Sequence, residues 1–352
     1  QRVEAARPKR SAAIVLLTTL VFASMVFAPI GAAAAQLPPG QSGVSVYVPY
    51  SSSSGIVIDG DLVDWDQAQI HILTHTLHYG MGVFEGIRAY ETSQGPAVFR
   101  LTEHIERLHN SAKILGMEIP YSVDELIEAT KATVASTGLS SCYVRPIAYY
   151  GYGEMGLNTM PCGVDVAIAC WPWGAYLGDD AVTKGVRLKT SSWTRHDHNI
   201  MPPASKTSGN YVNSSLAKVE ALKAGYDEAL MLAPNGLVAE CSGENIFVSR
   251  HGKLITPPLS AGALEGITQN TVMTLAADLG FEAVCDNIAR SDVYIADEMF
   301  LVGTAAEVSS VNSVDDRAIP CPGEKTLAIA ELYGRVVRGQ EDRYKDWCEL
   351  AV

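Results

Sequence analysis

Segments typical of β-strands alternate with segments typical of α-helices along most of this chain, and no other feature limits the fold as strongly. The stretches CYVRPIAYY (142–150) and VDVAIACWPW (164–173) are rich in β-branched and aromatic residues, which favour strands. Just before them, SVDELIEATKATVASTG predicts a helix, because Ser122 and Glu125 form a capping-box pattern and Gly138 closes the segment. We therefore expect a sheet with packed helices in the first half.

The second half shows the same alternation, without an internal sequence repeat. The segment NYVNSSLAKVEALKAG predicts a helix that ends at Gly225. The segment EALMLAPNGLVAECSGENIFVSRHGKLITPP predicts a meander of strands, with tight turns at Asn235-Gly236 and His251-Gly252. Beyond it, GITQNTVMTLAADLG is typical of a helix, and EMFLVGTAAEVSSV is typical of two strands joined by a tight loop.

A glycine-containing connection separates the two halves, and we place the domain boundary there. We predict a small N-terminal α/β domain at 56–173, an interdomain loop at 174–182 and a large C-terminal domain at 183–352. The fold class is therefore α+β or α/β with two domains. A chain of 352 residues with 47% apolar and 18% charged residues is long enough and apolar enough for this organisation.

Residues 1–55 differ in composition from everything that follows. A basic stretch, an uncharged apolar run from Ala12 to Ala28 and the small-residue stretch AAAAQ resemble the parts of a secretory signal peptide or a membrane anchor. We expect this leader to be disordered or removed. The seven cysteines form no C-x-x-C pair, which favours free thiols in a reducing compartment. We expect a cytoplasmic protein with no membrane contact unless the leader is retained.

Charge and histidine spacing limit the binding partners. A net charge of -13 argues against nucleic acid as a partner, because nucleic-acid surfaces need basic patches. His71, His75 and His78 have the spacing of metal ligands on one helix face. The segment leads into YGMGVFEG, which is typical of strand and loop, so we expect these histidines not to stack on a helix and to be structural. We predict no metal site.

Two motifs suggest other enzyme classes and lack the necessary context. GYGEMG (Gly151–Gly156) matches the dinucleotide fingerprint, but a loop with Pro161 and then a strand follow it, where a helix is required. SLAK (Ser215–Lys218) and KTSG resemble motifs of penicillin-recognising serine hydrolases, but they occur in reversed order and within about a dozen residues of each other. We interpret Ser215 and Lys218 as residues of a helix surface.

Lys206 lies in ASKTSGNY, among small residues that offer no acidic partner. Glu240 ends a predicted hairpin strand in VAECSGENIFV. Two glycine-started loops at 266–268 and 303–307 expose backbone N–H groups, of the kind that bind phosphate. A reactive amine, an acid for a pyridine nitrogen and an anion site are together what pyridoxal phosphate requires. Each alone also fits an ordinary surface residue.

These residues lie in stretches that resemble the branched-chain amino-acid aminotransferases, which are fold-type IV pyridoxal-phosphate enzymes. The matching stretches occur in family order from about residue 55 to the end: LTHTLHYGMGVFEGIRAY, FRLTEHIERLHNSAKIL, YVRPI, WPWGAYLG, SKTSGNY, AECSGENIFV, LEGIT and GTAAE. The resemblance implies the two-domain fold-type IV architecture, with the C-terminal domain binding pyridoxal 5'-phosphate. It also implies ping-pong transfer of the amino group of L-leucine, L-isoleucine or L-valine to 2-oxoglutarate.

The resemblance implies a role for each matching residue. Lys206 is expected to hold the cofactor as a Schiff base and to act as the catalytic proton carrier. Glu240 is expected to bind the pyridine nitrogen and Tyr211 to lie near the ring oxygen. The implied cofactor-binding residues are Arg107, Lys206, Tyr211, Glu240, Gly243, Ile267, Thr268 and Thr304.

The substrate residues follow from the same resemblance. The implied set is Tyr79, Phe84, Gly86, Arg88, Tyr143, Arg145, Leu157, Trp173, Tyr176, Thr304 and Ala305. Of these, Tyr79 and Leu157 are expected to come from a neighbouring subunit, so we predict a homo-oligomer that is at least a dimer. A D-amino-acid or (R)-amine transaminase of the same fold is the alternative enzyme, and a non-catalytic exported binding protein is the alternative of another class.

Overall fold

Strands supply most of the scaffold. The computed structural model describes residues 56–351 except 60, 64–67, 175 and 179, so the leader predicted at 1–55 lies outside it. The described residues form seventeen strands: β1 (Ile56–Ile58), β2 (Asp61–Val63), β3 (Gly82–Phe84), β4 (Ile87–Thr92), β5 (Gly95–Phe99), β6 (Cys142–Tyr150), β7 (Val164–Trp171), β8 (Val186–Thr190), β9 (Glu228–Leu232), β10 (Val238–Cys241), β11 (Asn245–Arg250), β12 (Lys253–Thr256), β13 (Ala283–Cys285), β14 (Glu298–Gly303), β15 (Glu307–Val314), β16 (Arg317–Ala318) and β17 (Cys348–Leu350).

Eight helices accompany the strands in the described part of the chain. They are α1 (His75–Tyr79), α2 (Leu101–Ile114), α3 (Val123–Thr137), α4 (Ala181–Lys184), α5 (Tyr211–Lys223), α6 (Ile267–Asp278), α7 (Arg290–Val293) and α8 (Glu324–Val336). None of those in the described residues is long and apolar enough to cross a membrane.

The strands form two sheets. The first has the order β17-β5-β4-β6-β7-β1-β2, with β3 added beside β6, and its pairs are antiparallel. The second has the order β10-β9-β8-β15-β14-β11-β12-β13, with β16 beside β15. In the second sheet β8 runs parallel to both β9 and β15, and β12 runs parallel to β13. The combination of mixed sheets and helices agrees with the predicted fold class.

Each sheet buries its own apolar core. On the first sheet, α2 and α3 contribute Leu108 and Leu126 to a cluster with strand residues such as Val144. On the second sheet, the buried faces of α6 and α8 form another cluster, and this one also contains Tyr90 and Phe99 of the first sheet. The two halves therefore share apolar contacts, which stabilise their relative position at about 25 cal/mol per Å² of apolar surface removed from water.

Most predicted elements form where the sequence places them. Helix α3 has the full capping box, since Ser122 Oγ accepts from the Glu125 backbone and the Glu125 side chain accepts from the Ser122 backbone. Its C-terminal residue is followed by Gly138 at φ 65°. The turns between the strands of the meander contain Gly236 and Gly252, at φ 83° and 82°. Both are left-handed conformations that glycine adopts at little cost.

One local prediction is wrong. His75–Tyr79 form the short helix α1, so His75 and His78 do lie on a helix. Their ring nitrogens contact protein carbonyls: His75 Nε2 is 2.7 Å from the Gly156 oxygen, and His78 Nε2 is 2.8 Å from the Ile72 oxygen. Among the described residues no group of three or more His, Cys, Asp or Glu side chains has the arrangement of a metal site.

The boundary predicted at 174–182 lies between β7 and β8, where the chain passes from the first sheet to the second. The C-terminus then returns to the first sheet, because β17 pairs with β5 and the Ala351 N–H donates to the Pro96 carbonyl at 2.9 Å. The assignment of 183–352 to one domain does not anticipate this return. The exact domain limits stay a prediction.

Candidate active site

A cavity of about 470 Å³ lies between segments that come from both sheets. Most of the residues predicted to bind cofactor or substrate line it: Phe84, Gly86, Arg107, Tyr143, Arg145, Trp173, Tyr176, Lys206, Tyr211, Glu240, Gly243, Ile267, Thr268, Thr304 and Ala305. These positions are far apart in sequence, so the fold brings them together.

The backbone of Lys206 is fixed by elements of the first half. The Phe84 N–H donates to the Lys206 carbonyl at 3.1 Å, and the Lys206 N–H donates to Ser111 Oγ at 3.0 Å. On the C-terminal side, Thr207 forms a bridge with Val83 of β3. Lys206 precedes α5 in the chain, so this segment joins a strand and a helix of the first half to the second half.

The Lys206 ammonium lies in an aromatic environment. Its Nζ donates to Tyr211 Oη at 2.7 Å. It also lies 5.1 Å from the centre of the Phe84 ring and 5.2 Å from that of the Tyr211 ring. The side chain is therefore directed into the cavity by a hydrogen bond and by two ring contacts, and it pairs with no carboxylate of the described residues.

Glu240 lies on β10 and is buried. One carboxylate oxygen is 2.7 Å from Arg195 Nη2. The other accepts from Asn245 Nδ2 at 3.2 Å and from the Leu264 N–H at 3.1 Å. Burial raises the pKa of Glu240, and the positive charge of Arg195 opposes that rise. An acid held in this way can pair with a protonated ring nitrogen.

The N-terminus of α6 offers backbone N–H groups at another part of the lining. Its first residues are Ile267 and Thr268, and no side chain caps the preceding Gly266. The first N–H groups of a helix have no acceptor within the helix, and they favour an anion. A Cβ at Gly266 would lie 1.9 Å from Asn245 Oδ1, so the close approach of this loop to Asn245 requires glycine. The loop that contains Thr304 and Ala305 lies on the same lining.

Arg107 extends from α2 towards the start of α6. Its Nη1 donates to the Glu265 carbonyl at 2.6 Å, one residue before Gly266. The other side of its guanidinium is held by the buried Glu85 at 2.7 and 2.8 Å. Arg107 thus adds a cation to the N–H groups of the second half, and it comes from a helix of the first half.

Aromatic rings and one arginine form the remaining wall. Arg145 Nη2 donates to Tyr143 Oη at 2.9 Å, and its guanidinium lies 4.6 Å from the Phe84 ring centre. Trp173 stacks on Tyr143 with a centroid distance of 4.5 Å. The buried Arg145 Nε makes no hydrogen bond to the described residues. The wall is apolar except for a guanidinium that still has donors to offer.

At Gly86, a Cβ would lie 2.2 Å from Tyr143 Oη, so the close approach of the Tyr143 hydroxyl requires glycine at this position.

Three residues of the predicted substrate set do not line the cavity of this chain. Arg88 Nη1 lies 3.1 Å from Glu307 Oε1. Glu307 is the first residue of β15, directly after the loop that contains Thr304 and Ala305, so this ion pair holds the end of that loop. Tyr79 is 42% exposed and Leu157 is 88% exposed. Their predicted place in the site of a neighbouring subunit stays a prediction.

Sequence patterns did not reveal several buried polar residues of the site. Arg195, Asn245 and Glu85 act through contacts with predicted site residues, and these contacts exist only in the folded chain. Each stands in a segment that resembles ordinary loop or strand. Only the family resemblance pointed to two of these residues, because Glu85 lies within the matching stretch FEGIR and Asn245 within AECSGENIFV.

Two further buried glutamates, Glu228 and Glu244, lie at or beside the cavity. The interpretation of Lys218 as a helix-surface residue is wrong, because its Nζ lies 2.6 Å from the fully buried Glu228 carboxylate. Glu244, which lines the cavity, is buried near Glu228. Burial and the negative charge of Glu228 raise the pKa of Glu244 to about 8. Glu244 is therefore mainly protonated at pH 7, which reduces the negative charge at the cavity.

The residues present fit pyridoxal phosphate. Three features border one cavity: an amine bonded to a tyrosine hydroxyl, a buried carboxylate stabilised by an arginine, and a helix N-terminus with a nearby guanidinium. These are the partners for an aldehyde, a pyridine nitrogen and a phosphate, respectively.

Comparison with known proteins gives one consistent result. The family model described as amino-transferase class IV matches residues 82–314. The branched-chain-amino-acid aminotransferase of Pseudomonas aeruginosa is 50% identical over 294 residues, which cover 83% of this chain and 95% of the relative. The enzyme of the same name from Escherichia coli K12 is 45% identical over 299 residues, which cover 84% and 96%.

Solved structures agree with the sequence relatives. The crystal structure of the T.th. branched-chain amino acid aminotransferase with pyridoxamine 5'-phosphate superposes with a TM-score of 0.82 at 48% identity. The match covers 85% of this chain and 98% of that one. The branched-chain aminotransferase from the archaeon Thermoproteus uzoniensis, solved with norvaline, gives a TM-score of 0.82 at 44% identity and covers 85% and 99%.

Proposed function

The chain belongs to the class IV aminotransferases and, within them, to the branched-chain-amino-acid aminotransferases, and from that membership we propose how its residues carry out the reaction. The reaction moves the amino group of L-leucine, L-isoleucine or L-valine to 2-oxoglutarate, and the cofactor is pyridoxal 5'-phosphate. The supporting observation is that Lys206 and Glu240 border the same cavity as Arg145 and its aromatic wall.

Lys206 and Glu240 are the residues that act on the reacting groups. Bound pyridoxal phosphate supplies an aldehyde that accepts an amino group and a ring that accepts electrons. Lys206 anchors the cofactor through Nζ and then moves a proton at the substrate α-carbon. Tyr211, whose Oη lies 2.7 Å from that nitrogen, orients it. Glu240 holds a proton on the ring nitrogen, and it can do so because Arg195 favours its ionised form.

The phosphate site combines contributions from both halves of the chain. The N–H groups of Ile267 and Thr268 point along the axis of α6, where the helix dipole favours a negative charge. Thr304 adds a hydroxyl, and Arg107 adds a guanidinium that pairs with phosphate in a planar geometry. Gly243 lines the cavity without a side chain that would fill it.

The substrate side accepts both an apolar and a charged side chain. Phe84, Trp173 and Tyr176 form an apolar wall suited to a branched chain. The side-chain carboxylate of glutamate, the product of 2-oxoglutarate, needs a cation in so apolar a place, and Arg145 supplies one. Tyr143 and the Thr304–Ala305 amides bind the carboxylate that all these substrates share.

The second subunit completes the site. An exposed apolar surface follows α1 and the neighbouring loop, which are joined by the bridge between Thr74 and Tyr152. Its members are Ile70, Ile72, Leu73, Leu77, Tyr79, Tyr152, Met155, Leu157 and Met160. Apolar surface of this extent on a water-facing side is typical of a protein interface. A second copy covers this surface in a homodimer and receives Tyr79 and Leu157 at its own cavity.

The experiment follows the visible absorption of the purified protein with added pyridoxal phosphate. We expect a band from the bound cofactor that is lost with L-leucine, restored with 2-oxoglutarate and unaffected by D-alanine. Lys206→Ala should lower transamination at least ~100-fold, because it removes the proton carrier. Lys253→Ala, which changes an exposed lysine on β12, is the control.

Three results would contradict the proposal. A response to D-alanine and none to L-leucine would favour the D-amino-acid alternative. Unchanged activity of Lys206→Ala would remove Lys206 from the reaction. A protein that stays colourless with added cofactor would leave a binding protein as the better interpretation.

A further inference from the structure

Glu85 is a fully buried carboxylate that faces the arginine of the proposed phosphate site. It follows β3 directly and is 0% exposed. Arg107 Nε donates to one of its oxygens at 2.7 Å and Arg107 Nη2 donates to the other at 2.8 Å. Two parallel bonds between a guanidinium and a carboxylate fix the plane of the guanidinium as well as its position.

His104 completes the arrangement. Its Nδ1 lies 2.7 Å from the Glu85 oxygen that also accepts from Arg107 Nη2. Burial would raise the pKa of Glu85, but the charges and hydrogen bonds of Arg107 and His104 outweigh it and hold that pKa well below its usual range. Burial lowers the pKa of His104, and the negative charge of Glu85 opposes that shift. Since an ionised carboxylate only accepts, His104 Nδ1 must donate the proton in either protonation state of the ring.

These contacts use three of the N–H donors of Arg107 and leave two for a ligand. A guanidinium has five N–H donors. Glu85 takes two of them, and the Glu265 carbonyl takes a third at 2.6 Å. The remaining donors are one on each terminal nitrogen of a side chain that lines the cavity. Arg107 therefore reaches the cavity in one orientation, set by a residue that does not line it.

We propose that Glu85, supported by His104, is the positioning residue that holds Arg107 in place to bind the cofactor phosphate. The proposal rests on the proposed function, in which Arg107 contacts that phosphate. Glu85 also carries a negative charge close to the phosphate position. As a charge alone it would weaken phosphate binding, whereas as a positioning residue it strengthens binding. The two effects have opposite signs, so they can be separated by experiment.

The test compares pyridoxal phosphate with pyridoxal, which lacks the phosphate. Dissociation constants of both are measured by titrating cofactor-free protein and following absorption and tryptophan fluorescence. Glu85→Gln should raise the dissociation constant of pyridoxal phosphate about tenfold or more and leave that of pyridoxal unchanged. Glu106→Gln removes an exposed carboxylate next to Arg107 on α2 and should change neither constant.

Each other result overturns the proposal. Equal weakening of both ligands would mean a general structural role for Glu85. Unchanged or tighter binding of pyridoxal phosphate would mean that Glu85 does not orient Arg107. If Glu85→Gln does not fold, Glu85→Asp keeps the charge, shortens the reach and is judged by the same two constants. A wild-type protein that binds neither ligand would refute the proposed function itself, and the proposal for Glu85 would fall with it.

Discussion

Three buried glutamates in and beside the cavity differ in pKa because their charged neighbours differ. Glu85 meets Arg107 in a two-bond contact, and its pKa is held well below the usual range despite burial. Burial raises the pKa of Glu240, with Arg195 opposing the rise. For Glu244 burial raises the pKa to about 8. One residue type thus has a lowered pKa at Glu85 and raised pKa values at Glu240 and Glu244, according to its surroundings.

Arg195 should set the lowest pH at which the enzyme works. Glu240 must be ionised to keep a proton on the ring nitrogen, and the guanidinium at 2.7 Å favours that ionised form. In Arg195→Gln the opposing charge is gone, so the pKa of Glu240 rises further. The acid limb of kcat/KM against pH should move upward by about 1 unit or more. The pH dependence of the cofactor's visible band should move with it.

Two variants make this interpretation specific. Arg195→Lys keeps the charge and should restore most of the acid limb. Arg343→Gln removes a surface arginine that pairs with Asp278 at 2.6 Å, and it should leave the profile unchanged. An acid limb that is the same in Arg195→Gln as in the wild type would show that burial alone determines the pKa of Glu240.

The sequence predicted the residues that line the cavity better than those that hold the lining residues in place. Lys206 and Glu240 stand in short stretches with small neighbours and glycines, and the resemblance extends over those stretches. Arg195 lies 45 residues before Glu240, which it contacts, and Glu85 lies 22 residues before Arg107, which it contacts. Local patterns carry no information on such tertiary pairs, because any loop arginine or strand-end glutamate looks the same.

The caps of α3 and α8 show the same contrast at the level of elements. Helix α3 is capped by its own Ser122, a pattern that is readable in four consecutive residues. Helix α8 begins after Gly323, which offers no side chain. Its cap comes from Glu298 on β14, whose carboxylate accepts from the Thr326 N–H at 3.0 Å and from Thr326 Oγ1 at 2.8 Å. A cap from another element cannot be found by sequence spacing.

Glu298 should therefore contribute more to stability than other acids near α8. Glu298→Ala leaves the first N–H groups of the helix without a buried acceptor, at a cost of about 1–3 kcal/mol. We expect a melting temperature several degrees lower for the holoenzyme in differential scanning calorimetry. Glu331→Ala changes a carboxylate on α8 that is 78% exposed, and it should change the melting temperature little. Equal effects of the two variants would refute the role of Glu298 as the cap.

Long elements with a clear period were predictable, whereas short ones decided by packing were not. The strands β6 and β7 and the helices α3, α5 and α6 form where composition and glycines indicate them. The five-residue helix α1 was missed, since one turn gives too few positions for a periodic pattern. The three-residue β17 exists because β5 offers a free edge, which no property of its own sequence indicates.

At the scale of the whole molecule, the cavity depends on both halves being held together. Lys206 precedes α5 of the second half, yet its backbone bonds Phe84 and Ser111 of the first half. Arg107 of α2 bonds the Glu265 carbonyl just before α6. A reaction cavity between two packed halves excludes water on several sides, which strengthens each electrostatic contact within it.

The proposed homodimer can be tested by active-site complementation. In a dimer whose sites are shared, a Lys206→Ala chain still lends its Leu157 to the partner, and a Leu157→Asp chain still has its own Lys206. Each homodimer should have little activity, because one lacks the amine and the other places a charge in an apolar wall. When the two chains are co-expressed in equal amounts, half of the dimers are mixed and each has one intact site. We expect about a quarter of wild-type activity, since a two-fold interface gives each dimer two equivalent sites.

Tandem purification on two different tags isolates the mixed dimer, and sedimentation velocity gives its mass. No recovered activity in a verified mixed dimer, or full activity of Leu157→Asp alone, would show that each chain builds its site without its neighbour.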